Sequence, residues 1–137
     1  MKLSIMPTSL QDELEIIWSE TDVSIVLDAH ERLKAFATKE DLSMLLDALK
    51  SEKNDFWTRE LLAEPIAYLG GSECLPELFD ALDRNYQDGH DNDSLAHFLT
   101  EIAGLEPAAC RAKLEELLNS PDFPHHKYAK WLLEFCN

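Results

Sequence analysis

The stretch DGHDND, residues 88–93, concentrates carboxylates around His90 and is the first place where this chain could bind a cation. Calcium loops alternate carboxylates with a glycine, because hard cations prefer oxygen ligands. Here the glycine stands second and no glutamate follows at the closing position, so the spacing does not fit. The stretch therefore predicts a solvated loop that ends in a helix cap, with no metal and no cofactor.

Histidine and cysteine side chains are the other candidates for chemistry. His125 and His126 have no Cys or carboxylate at a metal-ligand spacing, which favours surface residues at the start of a helix. Cys74, Cys110 and Cys136 are far apart and lie in apolar helical patterns, which indicates buried, reduced thiols. Nucleophile elbows, glycine-rich phosphate loops and zinc-protease motifs are absent from the sequence, so it indicates no catalytic residue.

The charge balance restricts the possible partners. The 137 residues include 27 Asp and Glu against 12 Lys and Arg, a formal net charge of −15. Such a surface repels nucleic acid and anionic membranes and attracts basic proteins. The N-terminus, MKLSIMPTSLQDELEIIW, lacks the apolar stretch of a signal peptide, and the sequence has no run long enough for a transmembrane helix. We therefore expect a cytoplasmic protein of one domain, residues 1–137.

The elements that position these side chains follow from an internal repeat. When the sequence is aligned with itself so that Asp22 matches Asp55, Glu31 matches Glu64. Most other aligned pairs are of similar chemical type. A third copy and a closing half copy follow. Repeats of about 20 to 50 residues indicate a solenoid, because each unit buries its apolar face only by stacking on the next. The predicted units are an N-terminal cap (1–20), three repeats (21–53, 54–90 and 91–120) and a terminal half repeat (121–137).

Each copy has the pattern of two helices. In the second copy, Leu62, Ile66 and Leu69 recur at i, i+4 and i+7, so they share one helix face. Gly70 and Gly71 separate the two helices, and a glycine just past a helix end tolerates a left-handed turn. The inward residues predicted for the second helix are Leu75, Leu78, Phe79 and Leu82.

The second copy, DFWTRELLAEPIAYLGGSECLPELFDAL, resembles a HEAT-like repeat of the short bacterial kind. The matching features are Asp55, Arg59, the internal Pro65, YLG at 68–70 and CLPELFDAL at 74–82. The resemblance covers about residues 21–137. It implies an all-α, right-handed α-solenoid of about three and a half helical hairpins with an N-terminal capping helix. It also implies that the second helices line the concave face.

Acidic residues recur on the outward side of the predicted second helices. Glu40 and Asp47 are seven residues apart, so they share one stripe of a helix. The later units carry acids at matching places, although solvent-facing helix positions are often acidic in any protein. Trp57 aligns with Ser24, which favours a surface aromatic. We call the following set the acidic face: Glu40, Asp47, Glu73, Glu77, Asp80, Asp83, Glu115 and Glu116. With Trp57, these are the predicted partner-binding residues.

Two functional hypotheses fit this pattern. The first is an acidic inhibitor or immunity-type protein that neutralises a basic partner, such as a toxin or nuclease. The alternative is a general interaction scaffold, adaptor or regulatory subunit. An enzyme, such as a lyase or a DNA-repair glycosylase, is disfavoured, because a glycosylase needs a basic groove for phosphates. The sequence thus predicts a protein-binding module that is not an enzyme.

Overall fold

The computed structural model describes residues 9–136, and these fold into eight α-helices joined by turns, with no strand among them. The predicted all-α class is confirmed. Two of the turns are 3-10 helices, at Lys39–Asp41 and Gly71–Cys74. The α-helices are α1 (Leu10–Ser19), α2 (Val23–Phe36), α3 (Leu42–Leu49), α4 (Phe56–Gly70), α5 (Leu75–Gln87), α6 (Asp93–Leu105), α7 (Pro107–Leu118) and α8 (His126–Leu133).

Helices α1 and α4 begin at side chains that cap them reciprocally. Ser9 Oγ accepts a hydrogen bond from the Asp12 N–H at 3.1 Å, and Asp12 accepts one from the Ser9 N–H. In α4, Asp55 Oδ1 accepts from the Thr58 N–H at 2.9 Å, and the Thr58 hydroxyl accepts from the Asp55 N–H. Such pairs satisfy N–H groups that a helix start leaves without intrahelical partners. Residues close together in the sequence therefore determine where both helices begin.

The break between α4 and α5 depends on Gly71. Its φ of +55° is a left-handed conformation that side chains disfavour. A Cβ there would lie 2.5 Å from the Glu106 carboxylate, which accepts a hydrogen bond from the Ser72 N–H at 2.7 Å. The predicted glycine break is confirmed. The bond between Glu106, which follows α6, and the α4–α5 turn is a contact that the repeat pattern does not predict.

The core contains the apolar residues that the repeat predicts. Leu62 and Ile66 are fully buried, whereas Leu69 is only half-buried. At the other end of the chain, Ala129 and Leu132 of α8 are also fully buried, so the last helix covers the core. The predicted thiol of Cys110 is buried as well, and so are the inward residues predicted for the second helix of the second copy: Leu75, Leu78, Phe79 and Leu82.

The helices contact one another in an order that follows the chain. Helix α2 packs on α4, α4 on α6, and α6 on α8, while α3 packs on α5. Helix α1 packs mainly on α2, and α7 packs mainly on α8. In the part of the chain that the structure describes, no helix is both long and apolar enough to cross a membrane.

Pro65 lies inside α4, and the neighbouring helix supplies the hydrogen bond that it removes. Proline has no N–H, so the Leu61 carbonyl loses its usual helical donor. His30 of α2 places Nε2 2.7 Å from this carbonyl oxygen, and His30 is 4% exposed. A carbonyl only accepts, so Nε2 carries the proton and donates. Burial lowers the pKa of His30, which favours the neutral ring.

A second contact between α2 and α4 explains one identity in the repeat. Lys34 Nζ lies 2.8 Å from a Glu31 carboxylate oxygen and 3.4 Å from one of Glu64. Glu31 and Glu64 are equivalent residues of successive copies. One lysine therefore joins equivalent carboxylates of adjacent helices.

Candidate partner-binding surfaces

The acidic face is distributed over α3, α5, α7 and the turns that lead into them. Six of its residues are exposed, while Glu77 and Asp83 are half-buried. Helix α3 packs on α5, and α7 packs on the 3-10 turn that carries Glu73. The structure therefore brings the carriers of these acids side by side. The exposed residues are Glu40, Asp47, Glu73, Asp80, Glu115 and Glu116.

The two later acids of α5 already bind the C-terminal segment. Asp80 Oδ1 lies 2.6 Å from His125 Nε2, and Asp83 Oδ1 accepts a hydrogen bond from the Tyr128 hydroxyl at 2.9 Å. Burial, followed by the bond to Asp83, raises the pKa of Tyr128 to about 12. The Tyr128 ring also stacks on Phe79, at 6.2 Å between centroids. These bonds leave Asp80 and Asp83 less available to a partner than the sequence suggests.

Other acids of the face have no such partner. Among residues 9–136, Glu40, Asp47, Glu73 and Glu115 form no ion pair and no side-chain hydrogen bond, whereas Glu116 lies 3.0 Å from Lys113 Nζ. Because the chain has 27 acidic and only 12 basic side chains, most carboxylates cannot be neutralised within it. These unpaired carboxylates are the part of the predicted site that is free to bind a cation.

Trp57 is less accessible than a recognition aromatic would be. It lies in the first turn of α4, is half-buried, and packs against the core. Its apolar surface therefore contributes to packing. Any contact with a partner would involve only the exposed part of its ring.

The thiols have the buried environment that the sequence predicts. Burial, followed by the nearby carboxylates of Glu77 and Glu73, raises the pKa of Cys74 to about 11. Burial and the adjacent Cys136 thiol raise the pKa of Cys110 to about 12. Since the thiolate is the reactive form, both side chains are poor nucleophiles at neutral pH.

The Asp88–Asp93 loop is exposed for the most part, but two of its side chains bind α4. Asp88 Oδ2 accepts from the Arg59 guanidinium at 2.7 Å, a bond that lowers the pKa of Asp88. The His90 ring stacks on Phe56 with 3.6 Å between centroids. Residues 9–136 contain no group of three or more His, Cys, Asp or Glu side chains arranged to hold a metal ion.

His125 and His126 lie where the sequence predicts the start of a helix. His126 is the first residue of α8 and His125 precedes it. Both are half-buried and hydrogen-bonded, so the prediction of surface residues is wrong in this respect. His126 Nε2 donates to the Ser120 carbonyl at 2.9 Å, which fixes the loop before α8. They therefore attach the last helix to the rest of the domain.

A groove that the sequence pattern does not indicate lies beside the ends of α2, α4 and α6. It encloses about 900 Å³. Ala37, Gly71 and Glu106, the residues that directly follow these three helices, all contribute to its wall. We call it the edge groove. The sequence gives one indication of this groove: Tyr68 and Leu105 are large apolar residues near the ends of α4 and α6, where polar residues are expected. In addition to the end residues, the groove is lined by Glu31, Lys34, Glu64, Pro65, Tyr68, His97, Phe98, Glu101, Ile102 and Leu105, among others.

Comparison of this chain with protein-family models, with curated proteins and with solved structures finds no match. Residues 9–136 are all-helical, the whole chain is strongly acidic, and its two most distinctive surfaces are the acidic face and the edge groove.

Proposed function

We propose that the chain is a non-enzymatic protein-binding module of the HEAT-like α-solenoid class, an acidic inhibitor or immunity-type protein that neutralises a basic partner such as a toxin or nuclease. The observation that carries this proposal is the set of exposed carboxylates without ion partners on α3, α7 and the turns that lead into α3 and α5. These residues are Glu40, Asp47, Glu73 and Glu115.

The order of the helix contacts supports the solenoid part of the proposal. Successive contacts from α2 to α4, α6 and α8 form one layer, and the contact from α3 to α5 belongs to a second layer. Stacked hairpins of a solenoid have this pattern, because each unit contacts mainly its neighbours. A cap, three hairpins and a terminal half hairpin account for the eight α-helices.

The charge supports the choice of a basic partner. A group of exposed carboxylates attracts a cationic surface that approaches it. The long-range field of these charges also speeds the encounter of the two proteins. Screening limits this field to about 8 Å at physiological salt, so the carboxylates must lie at the contact itself. Buried, reduced thiols support a cytoplasmic location for the complex.

The edge groove favours a second candidate function, an interaction scaffold or adaptor. The groove has a volume of about 900 Å³ and both apolar and charged walls, so it is large enough for a segment of a partner. An inhibitor should hold one partner with nanomolar affinity or better, whereas an adaptor functions with weaker binding.

The proposal is tested by affinity capture from native lysate, with elution by rising salt. The face variant is Asp47→Lys with Glu115→Lys, two exposed residues without ion partners. The matched control is Asp28→Lys with Glu134→Lys, also exposed but outside α3, α5 and α7. Both variants change the net charge equally, and circular dichroism checks that both stay helical.

We expect the wild type and the control to capture the same basic protein, and the face variant to lose it. Equal loss from both variants would mean that only net charge matters. Undiminished capture by the face variant would exclude these carboxylates from the interface. Either result would contradict the proposed site.

A further inference from the structure

The edge groove has features of a binding site that is separate from the acidic face. Its walls come from the C-terminal halves of α2 and α4, from α6 between His97 and Leu105, and from the turns that follow these helices. The acidic face belongs to α3, α5, α7 and the turns before them. The two surfaces share the turns Lys39–Asp41 and Gly71–Cys74 but use different helices. Variants confined to the helices therefore test them separately.

Two large side chains at the groove are left in solvent. Tyr68 is 90% exposed and Leu105 is 81% exposed, and both lie within its wall beside the half-buried Phe98. Single exposed apolar residues are common, but several around one concavity mark a surface that a partner covers. An exposed tyrosine ring also offers a face to a cation.

The electrostatics of the groove favour a cation. Helix C-termini carry partial negative charge, and those of α2, α4 and α6 lie at this groove. The starts of the next elements, at Lys39, Gly71 and Glu106, offset part of it. Neither α4 nor α6 has a basic residue in its last turn to offset that charge. The Glu64 and Glu101 carboxylates, both partly exposed, add full negative charges.

The basic side chains of the groove do not reverse this balance. Lys34 already contacts both Glu31 and Glu64, and His97 Nε2 lies 3.4 Å from Glu101. Lys39 is the other lysine in the wall. The four glutamates in the wall are Glu31, Glu64, Glu101 and Glu106, so carboxylates outnumber lysines two to one.

We propose that the edge groove binds a segment of a partner protein in which lysine or arginine residues alternate with apolar ones. The cationic groups lie over the Tyr68 ring and at the ends of α4 and α6. The apolar side chains contact Phe98 and Leu105. This inference rests on the second candidate function and deepens it, because it names the chemistry of the segment that the edge groove binds.

The probe is a synthetic twelve-residue peptide of alternating lysine and leucine, labelled with a fluorophore and followed by fluorescence anisotropy. A peptide with glutamate in place of lysine is its control. The groove variant is Tyr68→Ser with Leu105→Ser, and because both side chains are exposed, their loss leaves the core intact. The matched protein control is Tyr86→Ser, a tyrosine of α5 that is 69% exposed and outside the groove.

We expect the lysine peptide to bind the wild type, and the groove variant to bind it at least tenfold more weakly. Tyr86→Ser should change the affinity by less than twofold, and the glutamate peptide should not bind. No binding of the lysine peptide to the wild type, or equal binding to the groove variant, would overturn the inference.

Two further measurements locate the bound peptide. The chain has only four glycines, so a glycine-labelled NMR spectrum is simple to read. Resonances of Gly70 and Gly71, in the groove wall, should shift on titration, and that of Gly89 in the α5–α6 loop should not. If instead the face variant, Asp47→Lys with Glu115→Lys, abolishes binding and the groove variant does not, the peptide binds the acidic face. That outcome overturns the groove inference and leaves the proposed function standing.

Discussion

Replacement of His30 by leucine tests the most unusual contact in the core. His30 Nε2 donates to the Leu61 carbonyl, which Pro65 deprives of its helical donor. Leucine is similar in size to histidine, so His30→Leu creates little cavity but leaves a buried carbonyl without a donor. An unsatisfied buried group costs about 1–3 kcal/mol, and we expect the free energy of unfolding in urea to fall by that amount.

The variant Pro65→Ala separates this hydrogen bond from packing. An alanine at position 65 has an N–H that can donate to Leu61 in the ordinary helical way. The cost of His30→Leu should therefore be smaller by about 1 kcal/mol in the Pro65→Ala background than in the wild type. Equal costs in the two backgrounds would refute the hydrogen-bond explanation and leave packing alone as the reason for the buried histidine.

The same histidine makes stability depend on pH. Burial lowers the pKa of His30 in the folded state. The hydrogen bond to the Leu61 carbonyl opposes this shift, Lys34 adds to it, and Glu64 and Glu31 oppose it more weakly. The unfolded chain therefore binds the proton more readily. The stabilisation is complete above the unfolded pKa of about 6.5 and is lost as the pH falls towards the folded pKa. Unfolding measured between about pH 5 and 7 should lose stability on acidification in the wild type, and less steeply in His30→Leu.

Two other core contacts give simpler predictions. The Arg59 side chain is 5% exposed and donates a hydrogen bond to the buried Asn85 at 2.6 Å. We expect Arg59→Met to lower the free energy of unfolding by about 1.5–3 kcal/mol. The control, Arg84→Met at a more exposed residue, should have little effect. A loss no larger than that of Arg84→Met would contradict the importance of this bond. Cys74 and Cys110, whose pKa values burial raises to about 11 and 12, should not react with Ellman's reagent at pH 8 until urea unfolds the chain. Rapid reaction of the native protein would contradict this burial.

The parts of the fold that follow from sequence are those with local causes. The spacing of Leu62 and Ile66 places both on one helix face, and both are buried. Asp55 caps α4 through a residue three positions away, and Gly71 has the positive φ that the glycine pair suggests. Periodicity and capping act within one or two turns, so a single sequence reveals them.

The parts that sequence does not reveal depend on residues far apart along the chain. His125 reaches Asp80 and Tyr128 reaches Asp83 across 45 positions. No pattern within the repeat indicates that the last helix would cover part of the acidic face. The edge groove is a related case: the repeat predicts that these three helices stack, but not that a concave space lies beside Tyr68 and Leu105.

The most direct test of the central claim is the salt dependence of association with the basic partner that the wild type captures. We predict that the association rate constant falls steeply with ionic strength for the wild type and for Asp28→Lys with Glu134→Lys. For Asp47→Lys with Glu115→Lys, the association rate constant should be lower at low ionic strength and should fall less as salt is added. The reason is that electrostatic steering depends on the charges at the contact. The same rate and the same salt slope for all three proteins would contradict a binding role for these carboxylates.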